Sequence, residues 1–294
     1  MRGFLLTIFI LILLFFSFLA GLGLGFVISG EDGLRVSGER VAVLRIGDII
    51  LDSQIYLESL STIRKDNSIK ALVLRIDSPG GAVGPSQEIY SEVKLLREKI
   101  PVVASMGTVG ASGGYYIACA AEKIIANPGT ITGSIGVIAH FVNYEQLLNW
   151  AKLNVEVVKS GEFKDVGSPL RGMTEPEKKY FQELIDNVHS QFKLAVSEGR
   201  GLDPKEVDQI ADGRVFTGEQ AKNLKLIDEL GTISDAIRLA GNMSGIGKEP
   251  DVVYFPKSKT RLFDLLFSNF KTLGLSDFPT KERFGLFYLV DIIR

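Results

Sequence analysis

The chain has 294 residues, 46% of them hydrophobic, and 33 Lys and Arg against 35 Asp and Glu for a net charge of -2. That length builds one large domain or two small ones. The balanced charge, with no basic run interleaved with aromatics, sets nucleic-acid binding aside. A single cysteine, Cys119, excludes an intrachain disulfide and a Cys-based zinc site, and is expected to pack as a small buried hydrophobe.

Phe4 to Ile28 carries no charge, is rich in Leu, Ile and Phe, and is long enough to cross a hydrocarbon core as a helix. A cleaved signal peptide would have a shorter apolar stretch ending in a small-x-small site, which Phe18 to Phe26 offers poorly. The expectation is therefore an uncleaved membrane anchor within residues 1–30. Arg2 on one side and Glu31-Asp32 on the other put the N-terminus in the cytoplasm and the body outside it. Residues 31–40 read as a polar tether.

The folded body begins at Val41. Val41–Gly47 is strand-like, Ile55–Arg64 has helical spacing, and Ile69–Ile76 is a second apolar strand running into Asp77-Ser-Pro-Gly-Gly81. Pro85–Lys99 is one amphipathic helix. Alternating strands and helices predict an α/β fold with parallel neighbours in a covered sheet. Gly80-Gly81, at the carboxyl end of a strand, is either a tight turn or a backbone cradle for an anion.

Pro101–Ser105 reads as a short buried strand and Tyr115–Ala121 as a helix, so the intervening Gly-rich stretch is a strand-to-helix turn. Gly110, Ser112 and Gly114 there satisfy G-x-S-x-G, in which the glycines permit a sharp turn that presents the serine hydroxyl. The alternative is a Gly-rich helix start with Ser112 as its N-cap. Backbone N–H groups at that helix start favour negative charge on a substrate carbonyl oxygen.

Further on, Lys123–Gly129 is a short strand and turn, and Thr130–Ile138 alternates apolar residues around Ser134. Tyr144–Lys152 reads as a helix and Val155–Val158 as a strand. Ser160–Pro169 is a loop that carries Lys164. Thr174-Glu-Pro-Glu177 has the pattern of a capping box ahead of a long apolar stripe through Phe181, Val188, Phe192 and Val196. Asp203, Thr217 and Thr232 open three shorter helices. Residues 41–240 thus form one domain. Residues 241–294 form an extension with apolar patches at Leu262–Phe270 and Phe284–Ile293, expected to pack on the body or on a neighbouring subunit.

A serine hydroxyl needs a base to take its proton. His189 falls beside the apolar stripe of the long helix, as a half-buried packing residue. His140 ends the Ile131–Ala139 run on the active side. Lys164 is the other option, provided that its ammonium is desolvated or crowded by positive charge, and Asp165 beside it acts against that. The residues alone leave the choice open.

Ser78-Pro-Gly-Gly81, Met106–Ala118, Thr132-Gly-Ser-Ile-Gly-Val137, Ser160–Pro169 and Asp212–Gly218 resemble, in order, the motifs of the signal peptide peptidase A family of Ser-Lys serine proteases, peptidase family S49, in its short single-domain form. The resemblance covers roughly residues 41–240. It implies Ser112 as nucleophile, Lys164 as general base, Gly80 and Gly81 as the oxyanion hole and Ser134 as the residue that orients the lysine, with no metal or cofactor. It further implies a Clp protease/crotonase-like fold of stacked ββα units, apolar signal peptides as substrates, and a homo-oligomeric ring, an octamer in the short form. The rival readings are a membrane protease of the same fold acting on one membrane protein, a catalytically silent membrane-tethered ring, and an α/β-hydrolase esterase using His140.

Overall fold

The computed structural model describes residues 38–256 and 287–289, together with Phe9, residues 11–18 and Gly21. The chain divides into two units, Met1–Gly38 and Glu39–Arg294. In the first unit Phe9, residues 11–18 and Gly21 are helical. No helix among the described residues is long and apolar enough to cross a membrane. The rest of the anchor expected over residues 4–28 lies outside them, as do residues 31–37 of the tether and residues 257–286 and 290–294 of the extension.

In the second unit β1 (Arg40–Gly47), β2 (Ile69–Ser78) and β4 (Val102–Ala111) pair in parallel at the centre of an eight-stranded sheet. Along β1 the side chains alternate between two cores, as the strand's two-residue period requires. Ala42, Leu44 and Ile46 belong to the larger core, with α1 (Gln54–Lys65), α2 (Val83–Arg97), α3 (Gly113–Ala118) and the long α5 (Glu175–Arg200). Val41 and Val43 face the smaller core, formed with Ala236 and Ala240 of α8 (Ile233–Met243). Both faces being covered explains why these strands read as nearly unbroken apolar runs.

Four short strands extend the sheet beyond β4. β5 (Lys123–Ala126) pairs with its first half and itself carries β8 (Glu229–Leu230). β6 (Ile131–Gly133) pairs with its second half and is followed by antiparallel β7 (Val215–Thr217). At the opposite edge, β9 (Asp251–Phe255) lies parallel to β1. A separate two-stranded sheet joins β3 (Gly80–Ala82) to β10 (Phe287–Leu289). The remaining helices are α4 (Glu145–Trp150), α6 (Pro204–Ile210) and α7 (Gly218–Asn223).

Two expected strands differ. The run predicted through Ile138 stops at Gly133, because Gly133 and Ser134 have φ of 77° and 51° and turn the chain out of the ladder. Val155–Val158 forms no strand: it has no ladder partner among the described residues, and Val158 is completely exposed. Conversely, the strand expected to end at Ser105 continues to Ala111, where β6 supplies its neighbour.

Behind the serine turn, α3 packs on α5 at a glycine. A Cβ on Gly199 would lie 2.3 Å from the carbonyl oxygen of Cys119, whose buried thiol is pushed up to about 12 by desolvation. Gly199→Ala gains about 1 kcal/mol of helix propensity but forces the two helices apart, at a cost of about 1–3 kcal/mol. The expected outcome is a net loss of stability in urea unfolding, contrary to what an exposed helical Gly→Ala change gives.

Candidate active site

Ser112 stands between β4 and α3 with φ 52° and ψ -118°, a conformation that L-residues rarely adopt. Neighbouring pairings fix it. Its N–H donates to the Gly133 carbonyl at 2.8 Å, and its own carbonyl accepts from Tyr116 N–H at 2.8 Å. Beneath it the buried Tyr115 donates its hydroxyl to the Leu226 carbonyl at 2.8 Å. The Ser112 side chain caps nothing: Oγ is buried and has no hydrogen-bond partner. A hydroxyl held out of water with its bonding capacity unspent is costly, and such groups concentrate where chemistry is done.

The Gly80-Gly81 loop meets the serine turn backbone to backbone. A Cβ on Gly80, whose φ is 109°, would lie 2.8 Å from the Gly113 nitrogen; one on Gly113 would lie 3.2 Å from the Gly81 nitrogen. The main chains can approach this closely only because both positions lack side chains. On one edge of β3, Gly80 accepts from Ile50 N–H at 2.9 Å and Ala82 N–H donates to the Ile50 carbonyl at 2.7 Å. On the other, Gly81 stands opposite Tyr288 of β10, whose ring is fully buried and stacks on Tyr116. Sequence reasoning missed both Gly113 and this use of Tyr288. The G-x-S-x-G pattern signals the first, because it places a backbone N–H directly after the serine, and the apolar patch at Phe284–Ile293 signals the second.

Ser134 is brought close by strand pairing: Ala111 is in register with Gly133, so the residues that follow, Ser112 and Ser134, leave adjacent strand ends. Ser134 is buried, and its N–H donates to the Arg214 carbonyl at 2.8 Å.

Lys164 lies in a 3-10 turn, Glu162–Asp165, and is exposed. It is not joined to Ser112 within the chain, since Ser112 Oγ has no partner. Its loop is nonetheless firmly held. Phe163 packs on Tyr180 of α5, with ring centroids 5.3 Å apart. Asp165 accepts from Lys159 and, at 2.9 Å, from Arg171 Nε. These two donors, Arg171 foremost, hold its carboxyl well below the usual carboxylate range. Arg171 also grips Glu177, which is buried at the start of α5 and accepts the Thr174 N–H in the expected capping box.

Neither histidine hydrogen-bonds the serine. His140 is exposed, and His189 Nε2, half-buried on α5, donates to the Ile135 carbonyl at 3.2 Å.

Arg171, followed by the Thr174 N–H, lowers the Glu177 carboxyl from 4.5 to about 2. A depressed carboxyl contributes stability above its unfolded value and loses it as pH falls through the folded one. Melting temperature should therefore drop between pH 4.5 and about 2, and Glu177→Gln should remove that part of the drop while lowering the plateau at neutral pH.

The family model described as Peptidase family S49 matches residues 94–246, and that of Clp protease matches residues 45–130. A Synechocystis sp. protein named as a protease is 48% identical over 221 residues, 75% of this chain and 74% of that one. One from Methanocaldococcus jannaschii, also named as a protease, is 33% identical over 277 residues, 88% of this chain and 89% of that one. One from Enterococcus faecium, named as a signal peptide peptidase SppA, is 32% identical over 281 residues, 85% of this chain and 81% of that one. A solved membrane-bound stomatin-specific protease with a substrate peptide aligns over 81% of this chain and 100% of that chain, at 20% identity and a TM-score of 0.49.

Proposed function

Since the chain belongs to peptidase family S49, we propose that it is a membrane-anchored serine endopeptidase hydrolysing remnant signal peptides left in the bilayer after secretion. Ser112 is the nucleophile, Lys164 the general base, and the Gly80-Gly81 loop with the Gly113 N–H forms the oxyanion hole. Ser134 orients the lysine. The observation that carries this reading is the Ser112 hydroxyl, buried and unpartnered on a strained turn beside a glycine loop.

The chemistry follows from these roles. Lys164, as the free amine, takes the Ser112 proton as Oγ bonds to the scissile carbonyl carbon. The carbonyl oxygen becomes an oxyanion held by backbone N–H groups. The lysine then returns its proton to the leaving amine, the C–N bond breaks, and an acyl-enzyme remains. Water, deprotonated by the same amine, attacks the acyl carbon and frees the serine.

A lysine in water is an ammonium and serves as a base only once desolvated. Lys164 is exposed in the single chain, so the pair is completed on assembly. Support for assembly lies beside the lysine loop. Leu147, Trp150, Leu153, Val155 and Val158 are all exposed, Trp150 at 82%, along one stretch of chain. A monomer rarely leaves so many large apolar side chains of one short stretch in water. In a ring, eight copies in the short-form arrangement, neighbouring subunits cover this stretch and shut water out of the site. The uncharged Phe4–Ile28 stretch tethers the ring to the membrane, N-terminus in the cytoplasm and catalytic body outside, so apolar peptides meet it at the bilayer surface.

The test is hydrolysis of apolar peptides by the full-length protein in detergent. Wild-type activity should climb with pH as the base loses its proton. Lys164→Ala should lower kcat by about a hundredfold or more, and Ser112→Ala should abolish acyl-enzyme formation, with oligomer size unchanged in both. Near-wild-type activity in Lys164→Ala sinks the assignment of the base, and equal cleavage of polar peptides sinks the substrate class.

A further inference from the structure

Asp165 follows Lys164 directly, and a carboxylate on the base's ammonium would hold its proton in place. The fold directs that carboxylate elsewhere. Its two oxygens are divided between two other cations, one to Lys159 Nζ and the other to Arg171 Nε at 2.9 Å. Lys164 makes no hydrogen bond or ion pair through its side chain among the described residues, and the exposed Glu162 side chain makes none either. Arg171 is itself immobilised. Nη1 donates to the Gly172 carbonyl at 3.0 Å and to Glu177 Oε2 at 2.9 Å, and Nη2 donates to Glu177 Oε1. Glu177 is 3% exposed and also accepts the Thr174 N–H at 2.8 Å. The anchorage therefore runs from a buried carboxylate at the start of α5, through one planar guanidinium, to the residue beside the base. Only an arginine presents enough donors in fixed directions to bond both carboxylates and a carbonyl together.

We propose that Arg171 is a positioning residue for the general base: by occupying the Asp165 carboxylate, it keeps that carboxylate off the adjacent Lys164 amine. This inference rests on the Ser112–Lys164 reading above. The Arg171–Glu177 pair by itself ties residue 171 to the start of α5. The Nε bond to Asp165 is the additional element, and its partner is the one acid adjacent in sequence to the base.

The test separates positioning from stapling by second-site rescue. Arg171→Lys leaves a cation for the buried Glu177 but too few directed donors to hold Asp165 as well. Its kcat should fall about tenfold, the equivalent of one pKa unit on the base, with KM within about twofold. Adding Asp165→Asn removes the freed carboxylate, and kcat should return to within about threefold of wild type. A staple predicts the reverse, because Asp165→Asn deletes one more tie. Should Arg171→Lys fold poorly, Arg171→Gln with Glu177→Gln leaves no buried charge unpaired and should respond to Asp165→Asn in the same way. Full kcat in Arg171→Lys, or no recovery on adding Asp165→Asn, overturns the positioning role. Lys164→Ala is measured alongside: if it is inactive and rescue fails, only the role of Arg171 is lost, whereas if it is active the dyad and the role of Arg171 both fall.

Discussion

The site depends on one backbone constraint, the turn that carries the chain from β4 into α3 through a non-glycine residue at positive φ. A conformation of that kind costs of order 1–3 kcal/mol and persists only where its surroundings over-determine it. Here they do. β6 holds the Ser112 N–H, α3 begins on the Ser112 carbonyl, and Tyr115 plugs the space beneath. Gly113 and Gly80 let the neighbouring loop close to within backbone contact. Each device is local, yet together they leave one buried hydroxyl with nothing to bond. The strain and the unspent hydrogen bond are the same feature seen from the main chain and from the side chain.

Around Lys164, the proposed base, charge rather than backbone strain governs. Its loop lies on the surface, where isolated ion pairs contribute little, but the Lys159, Asp165, Arg171 and Glu177 set is a network that ends on a buried carboxylate. Geometry is therefore imported from the start of α5 to a segment with no regular ladder of its own. The two segments are built to different tolerances. Serine and glycines are locked by the sheet, whereas the turn that carries Lys164 is held by side chains.

Much of this was legible in the sequence. Period-two alternation was masked in β1 and β2 because both faces are covered, but short apolar runs bounded by Gly, Pro and charge still read as strands. Three T/D-x-x-E/Q signatures, at Thr174, Asp203 and Thr217, sit at true helix starts with both capping bonds formed. What sequence could not show was pairing at a distance. Val155–Val158 has the composition of a strand, yet lacks a neighbour among the described residues. Arg171 gave no signal of its own, because the two acids it joins read as a lysine's neighbour and a cap residue. Tyr288 lay in an apolar patch without periodicity, where the strand Phe287–Leu289 could not be picked out.

That last pairing bears on the order in which the molecule can be made. The Gly80-Gly81 loop finds its outer strand at Tyr288, about two hundred residues later in the chain, a contact of very high sequence separation. A nascent chain that has already released Ser112 and Lys164 from the ribosome still lacks the strand that partners its glycine loop. The glycine loop is thus among the later parts of the described body to be paired, and the central sheet folds around a serine whose surroundings close only after Tyr288 has been made.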